Sequence, residues 1–240
     1  MIVLATTMAN GLAQSRAIPT AAGDGEIIAE VLGAKISLKD TNRLHRDILT
    51  ALSTQYAKDH HLEPTDQELQ SFASSKNKRE EAMHSKLQKD KERLATELEA
   101  STISAEDRLT KEKELQRLER LLNQVAEIRR ITAPVAEQSG FASHELAHGQ
   151  VLNWKINQAL YERYGGRVIF QQAGPEPWDA WRMFLLEEQA KGSFKIIKPE
   201  LEASFWNYHT NQALHRFYPK GEEARIMRTP FWQQETGQQN

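Results

Sequence analysis

The chain contains no cysteine among its 240 residues. That absence excludes a disulfide framework and a zinc site ligated by cysteine. No stretch reaches the roughly 18 consecutive apolar residues that a membrane-spanning helix requires. The formal net charge of −2 gives no basis for bulk attraction to nucleic acid. The sequence therefore predicts a folded protein without a membrane span and without a nucleic-acid partner.

Aromatic residues are missing from one long segment, because none occurs between Phe72 and Phe141. Within it, residues 76–130 hold 26 charged residues of both signs, which is typical of a solvated helical exterior. The break at "ASTIS" (100–104) offers Ser101 or Ser104 as an N-cap. Two apolar stripes at helical spacing flank that break: Met83, Leu87, Leu94 and Leu98, then Leu115, Leu118, Leu121, Leu122, Val125 and Ile128. We predict a charged antiparallel helical hairpin over residues 76–140.

The remainder, residues 26–75 with 141–240, is predicted to form one main helical domain. Leu44, Ile48, Leu52 and Tyr56 recur every four residues, as in an amphipathic helix. Thr65 and Glu68 have the spacing of a capping box that begins the next helix. Weak apolar alternation near 27–32 and 225–231 predicts a small sheet joining the two chain ends. The predicted fold class is mainly α, with this small sheet and a long inserted helical hairpin.

The N-terminal segment "MIVLATTMANGLAQS" resembles the apolar core and small-residue cleavage site of a signal peptide. We therefore predict that residues 1–25 are a signal-like segment with a flexible lead-in. This predicts a periplasmic or otherwise extracytoplasmic location. The alternative is a frayed apolar N-terminus.

Residues 144–148, "HELAH", match the H-E-x-x-H pattern of zinc peptidases. Imidazoles at i and i+4 can share a metal, and the intervening glutamate can activate its water. A third ligand is not evident, and Ser143 is a plausible N-cap that places Glu145 in a first helical turn. We therefore predict no catalytic residue, no metal and no cofactor. A zinc-dependent metallopeptidase using His144, Glu145 and His148 remains the alternative.

The front of the main domain has a predicted strand and turn, then a helix, then a Pro-Thr-Asp-x-Glu motif. Its pattern residues are Val31, Gly33, Ile36, Ser37, Pro64, Thr65, Asp66 and Glu68. Over about 45 residues this pattern resembles the N-terminal region of the SurA and PrsA family of extracytoplasmic folding factors. The family pattern usually has Asn before the turn glycine and Gly before the second helix, where this chain has Leu32 and His61. The resemblance implies a helical chaperone module whose first strand pairs with a strand from the C-terminal end. It does not imply isomerase activity, because the largely helical pattern of residues 65–210 leaves no room for a parvulin domain.

We therefore predict an exported, non-catalytic, chaperone-like protein whose partners are unfolded or extended polypeptide segments. Its predicted contact residues are aromatics, which supply large contact area at low entropic cost. The same side chains have a structural alternative, because large aromatics are mostly buried in cores. A further alternative is a structural or assembly protein that acts through its helical hairpin, for instance as a homodimer. The predicted polypeptide-binding residues are Trp154, Tyr161, Phe170, Trp178, Trp181, Phe205 and Trp206.

Overall fold

The computed structural model describes residues 26–99, 103–138, 140–171 and 173–234. The predicted signal-like segment of residues 1–25 lies outside the described residues. Among the described residues, helices account for 71%, and the strands are only five, four and three residues long. The prediction of a mainly α fold with a small sheet is confirmed.

Seven α-helices follow one another among the described residues. A 3-10 helix, Leu38–Arg43, leads into the first α-helix, and a second one, Gln212–Leu214, follows the sixth. The helices are α1 (Leu44–Asp59), α2 (Asp66–Glu99), α3 (Ala105–Gln138), α4 (Gly140–Tyr164), α5 (Trp178–Ala190), α6 (Pro199–Thr210) and α7 (Glu223–Arg228).

The sheet is antiparallel, and its strand order is β2-β1-β3. Its strands are β1 (Ile27–Val31), β2 (Ala34–Ser37) and β3 (Phe194–Ile196). Leu32 and Gly33 join β1 to β2 with φ of +48° and +81°. Two positive φ angles suit a two-residue hairpin turn, because they match the twist of the flanking strands.

The prediction that residues 225–231 form the closing strand is wrong. Residues 223–228 form α7, and β3 pairs with β1 instead. The neighbours Ile226 and Met227 are both buried, which a helix permits and a one-sided strand does not. In β3, by contrast, buried Phe194 and Ile196 flank exposed Lys195.

The core of the main domain lies between the inner face of the sheet and helices α1, α4, α5 and α6. Helix α1 contributes the predicted stripe, with Leu44, Ile48 and Leu52 all buried. One buried polar group, Asn157 on α4, accepts a hydrogen bond from Trp181 Nε1 at 2.7 Å and donates one to the Pro175 carbonyl at 3.3 Å. Its two bonds offset the cost of burying an amide.

Predicted capping residues begin two of the long helices. The Glu68 carboxylate accepts a hydrogen bond from the Thr65 backbone N–H at 2.7 Å, and the Glu68 N–H donates to Thr65 Oγ1 at 3.3 Å. Ser104 Oγ accepts from the Asp107 N–H at 3.1 Å and donates to its carboxylate. Each cap satisfies backbone donors that the first helical turn leaves free. Both local predictions are confirmed.

The chain divides into two compact units, one of residues 1–69 with 145–240 and the other Gln70–His144. The second unit contains most of α2 and α3, which run antiparallel. Ion pairs join Lys91 to Glu119 at 3.3 Å and Glu97 to Lys111, so residues whose numbers sum to about 209 lie opposite one another. Leu94 and Leu122 are buried between the helices.

Two residues of the predicted apolar stripes are not on the buried seam of the hairpin. Met83 is 55% exposed and Ile128 is 60% exposed. A pair of helices covers only one narrow face of each partner, and Ile128 lies off that face. The helical spacing of the stripes therefore predicts the two helices but not which of these side chains the hairpin buries.

Candidate polypeptide-binding pocket

A pocket of about 110 Å³ opens on the main domain between α1, α5 and the end of α4. Helix α1 supplies one wall, because its residues 52, 55, 56 and 59 recur on one side of the helix. Helix α5 supplies Phe184 and Glu188, one turn apart. The lining residues are Leu32, Leu52, Gln55, Tyr56, Asp59, His60, Arg163, Phe184, Glu188 and Lys191.

Three core side chains form the floor of the pocket, whereas most of its accessible lining is polar. Leu52, Tyr56 and Phe184 are all buried members of the core. The rings of Tyr56 and Phe184 meet edge to face with centroids 5.2 Å apart, a favourable aromatic geometry. Burial raises the pKa of the Tyr56 hydroxyl, so this ring stays neutral at physiological pH.

The rim is charged, but its charges are tied to one another. Arg163 donates to Glu187 at 2.8 and 3.0 Å, and Lys191 contacts both Glu187 and Glu188 at 2.8 Å. The hydrogen bond from Lys191, followed by that from Tyr164, lowers the pKa of Glu187 to about 2. On the opposite side, Gln55 Nε2 donates to Asp59 Oδ1 at 2.7 Å.

Size and chemistry together limit what the pocket can hold. Small-molecule sites usually measure about 300–1,000 Å³, whereas an apolar cavity of about 150 Å³ holds a benzene-sized group. A pocket of about 110 Å³ therefore fits one aliphatic side chain rather than a cofactor. The polar rim can exchange hydrogen bonds with the peptide groups on either side of that side chain.

Exposed apolar residues lie beside the pocket. Leu32 is 45% exposed at the tip of the β1–β2 turn and lines the pocket mouth. On α5, Met183 and Leu186 are exposed one turn apart. They do not line the pocket, because Glu187 lies between them and the side of α5 that carries Phe184. Methionine is flexible and polarizable, which suits contacts with varied apolar partners.

The outer face of the sheet has a different character. Glu30 is paired in register with Lys35 on β2 and with Lys195 on β3. All three side chains are exposed. This row of charges does not favour an apolar ligand, so the apolar surface near the pocket is the better candidate.

The structure places four of the seven predicted aromatic contact residues in the core. Trp154, Trp178, Trp181 and Phe205 are buried, which matches the structural alternative for these side chains. Trp178 is held by a hydrogen bond from its Nε1 to the Tyr208 carbonyl at 2.9 Å. Leu52, Tyr56 and Phe184 are buried to a similar degree, but those three line the pocket and none of these four aromatics does.

The other three predicted aromatics are only partly buried, and the structure does not bring them together. Phe170 stacks on Tyr218 with ring centroids 3.6 Å apart. Trp206 packs edge to face on Phe205. Tyr161 lies on α4, and burial, followed by the charge of Glu223, raises the pKa of its hydroxyl. None of the three lines the pocket.

The H-E-x-x-H residues lie on α4 without forming a recognisable ligand set. His144 is exposed, and His148 Nε2 lies 3.1 Å from the Glu63 carboxylate. Across the described residues, no group of three His, Cys, Asp or Glu side chains is placed to hold a metal ion. The prediction that Ser143 caps a helix is wrong, because α4 already begins at Gly140 and Glu145 is beyond its first turn.

A buried polar cluster around α6 was not predicted from the sequence. His45 Nε2 lies 3.1 Å from His209 Nε2, and Tyr208 donates to the Glu176 carboxylate at 2.9 Å. Burial lowers the pKa of His45 to about 4 and that of His209 to about 3, and it raises the pKa of Glu176 to about 7. These residues are 164 and 32 positions apart, so only the fold brings them together.

Comparisons with known proteins do not indicate a function for this chain. No protein-family model, curated protein or solved structure matches the chain. Among the described helices, none is both long enough and apolar enough to cross a bilayer. The pocket beside α1 and α5 is therefore the feature on which a functional proposal rests.

Proposed function

We propose that this protein binds unfolded or extended polypeptide segments without chemical catalysis, as an exported chaperone-like factor. The observation that carries the proposal is the pocket on α1 and α5, with its apolar floor of Leu52, Tyr56 and Phe184. Its volume suits a single aliphatic side chain. Such a site selects exposed apolar residues in a chain and makes few demands on their neighbours.

The paired rim charges also support binding rather than catalysis. Arg163 and Lys191 are neutralised by Glu187 and Glu188, so neither cation is available for a specific anionic substrate. General acid–base chemistry would need a proton-transfer group beside a reacting atom. The pocket rim instead offers hydrogen-bonding groups, such as Gln55 and Asp59, that suit a peptide backbone.

The front-end resemblance to the SurA and PrsA family is consistent with this proposal. Where the family pattern has Asn and Gly, Leu32 and His61 have positive φ values of +48° and +55°. Asn and Gly are the residues that adopt this left-handed region most readily. The backbone therefore has the conformation that the family residues favour, although the side chains differ.

An aggregation assay tests the proposal. We expect the purified chain to suppress aggregation of a chemically unfolded substrate, because the pocket sequesters exposed apolar side chains. The same preparation should not accelerate a proline-limited refolding reaction. No effect on aggregation at several-fold excess, or catalysis of refolding, would contradict the proposal.

A further inference from the structure

A second apolar surface lies on the α2–α3 hairpin, and none of its residues lines the pocket. Leu121, Val125 and Ile128 recur at steps of four and three along α3, so they share one side of that helix. The antiparallel pairing of the hairpin places Met83 of α2 at the level of Val125 and Ile128. These four residues, Met83, Leu121, Val125 and Ile128, are the stem patch.

The stem patch is more exposed than a two-helix seam would require. Met83 and Ile128 are more than half exposed, and Leu121 and Val125 are half-buried. Leu94, further along the same hairpin, is almost completely buried. Removing exposed apolar surface from water is favourable by about 25 cal/mol per Å². A partner that covers the stem patch would gain this free energy.

The charge around the stem patch indicates what kind of partner fits. The stem segments, residues 76–91 and 117–130, contain ten basic and five acidic residues, whereas the tip segment, 92–116, contains four basic and seven acidic residues. Lys86 follows Met83 by one turn, and Arg117 precedes Leu121 by one turn. Within the part of the chain that the structure describes, Lys86, Lys89 and Arg117 form no ion pair.

We propose that the stem patch binds an acidic amphipathic polypeptide helix. Apolar side chains of the partner would cover Met83 and Ile128, and its carboxylates would face Lys86 and Arg117. A groove along two neighbouring helices suits a third helix that presents apolar residues at i, i+3 and i+4. This interaction goes beyond the proposed function, because it uses a different unit of the chain and a folded ligand.

The test uses the full chain and a fluorescent peptide of about 20 residues, since shorter isolated helices are marginal in water. The peptide carries Leu at helical spacing and Glu elsewhere, and a control peptide carries Lys in place of Glu. Fluorescence anisotropy should show saturable binding of the Leu/Glu peptide only. Met83→Glu and the double variant Lys86→Glu/Arg117→Glu should each weaken that binding at least about tenfold, which corresponds to about 1.4 kcal/mol.

Leu109→Glu is the matched control, because Leu109 is an equally exposed apolar residue on α3, at the hairpin tip. It should leave binding of the Leu/Glu peptide unchanged, and circular dichroism should show that each variant remains helical. Three results would overturn the proposal: no saturable binding, an equal loss in Leu109→Glu, or equal binding of the Leu/Lys peptide. Binding to phosphatidylserine vesicles that Met83→Glu weakens, with no peptide binding, would assign the patch to a membrane surface instead.

This experiment is separate from the test of the pocket. Gln55→Trp, which covers the pocket, should not change binding of the Leu/Glu peptide. Conversely, Met83→Glu should not change binding of an unfolded polypeptide. Failure of one proposal therefore leaves the other standing.

Discussion

At the scale of single residues, two positions have a backbone conformation that their side chains disfavour. Leu32 and His61 have positive φ, which costs a non-glycine residue about 1 kcal/mol or more. At His61 the conformation ends α1, because the Leu62 N–H can then donate to the Ala57 carbonyl at 2.9 Å. That six-to-one bond is characteristic of a helix terminus that normally contains glycine.

Replacing His61 by glycine should stabilise the protein. We expect His61→Gly to raise the free energy of unfolding by several tenths of a kcal/mol up to about 1, because glycine adopts this φ without steric cost. The matched control is His60→Gly, at an adjacent position with φ of −103°, which should destabilise. Urea denaturation measures both, and a destabilised His61→Gly variant would contradict the prediction.

The histidine pair His45 and His209 should make stability depend on pH. The pKa values of His45 and His209 in the folded chain, about 4 and about 3, lie below their ordinary value of 6.5. At pH values between these folded-state pKa values and 6.5, the unfolded chain binds more protons than the folded chain. The stability that the two neutral histidines contribute is therefore lost as pH falls below about 6.5. Glu176 acts in the opposite direction, since its pKa of about 7 lies above the ordinary 4.5 and its contribution is lost as pH rises through about 7.

Glu176→Gln should therefore expose the effect of the histidines. The amide can keep a hydrogen bond to Tyr208 but cannot titrate, so the free energy of unfolding should fall more steeply between pH 7 and pH 4.5 than in the parent chain. Urea denaturation at intervals across that range provides the measurement. Equal slopes in the two proteins would show that Glu176 is not perturbed as inferred.

The same pair of histidines suggests a particular tautomer. Only one proton can lie between the two Nε2 atoms, and His209 Nδ1 has no partner among the described residues. A buried bare nitrogen is less costly than a buried N–H without an acceptor. We therefore expect His209 to donate from Nε2 and the partly exposed His45 to accept.

At the scale of elements, the helix caps at Thr65 and Ser104 were predictable from sequence, whereas the predicted cap at Ser143 and the predicted closing strand were wrong. Thr65 and Ser104 begin helices through hydrogen bonds to residues three positions away. Both partners of each bond therefore lie within a short stretch of sequence. The third strand depended on a contact between Val31 and Phe194, far apart in the chain. Residues 225–231 are similarly apolar to residues 194–196. Composition alone therefore could not show which of the two segments pairs with β1.

The candidate site shows the same division. The stripe that places Leu52 and Tyr56 on one side of α1 was visible as a four-residue repeat. Their pairing with Phe184 and Arg163 needed the packing of three helices. The aromatic residues selected from the sequence were mostly core, because size and apolarity indicate burial without indicating which surface remains open.

The hairpin should be held together by very few buried contacts. Leu94→Ala removes a side chain that is buried between α2 and α3, and it should lower the free energy of unfolding by about 2 kcal/mol or more. Met83→Ala, on the same helix but exposed, should change it by less than about 0.5 kcal/mol. Thermal or chemical denaturation compares the two variants, and similar losses would contradict the assignment of the seam.

At the scale of the whole molecule, the main domain contains its own core. His148 contacts Glu63, and Lys155 contacts Glu68 at 3.0 Å, so the segments on either side of Gln70–His144 are close within this unit. A Gly/Ser linker of about eight residues spans roughly 16 Å. Replacing residues 70–144 with such a linker should leave a soluble protein with a cooperative melt, and an insoluble or non-cooperative product would contradict this.

The central claim is that the pocket on α1 and α5 binds extended polypeptide, and one titration tests it directly. Fluorescence anisotropy of a labelled, permanently unfolded polypeptide is compared for the parent chain, Gln55→Trp and Thr54→Trp. Gln55 and Thr54 are adjacent and exposed on α1, but only Gln55 lines the pocket. The account predicts saturable binding that Gln55→Trp weakens at least about tenfold, or about 1.4 kcal/mol, and that Thr54→Trp leaves unchanged. Absence of binding by the parent chain, or equal binding by all three proteins, would contradict it.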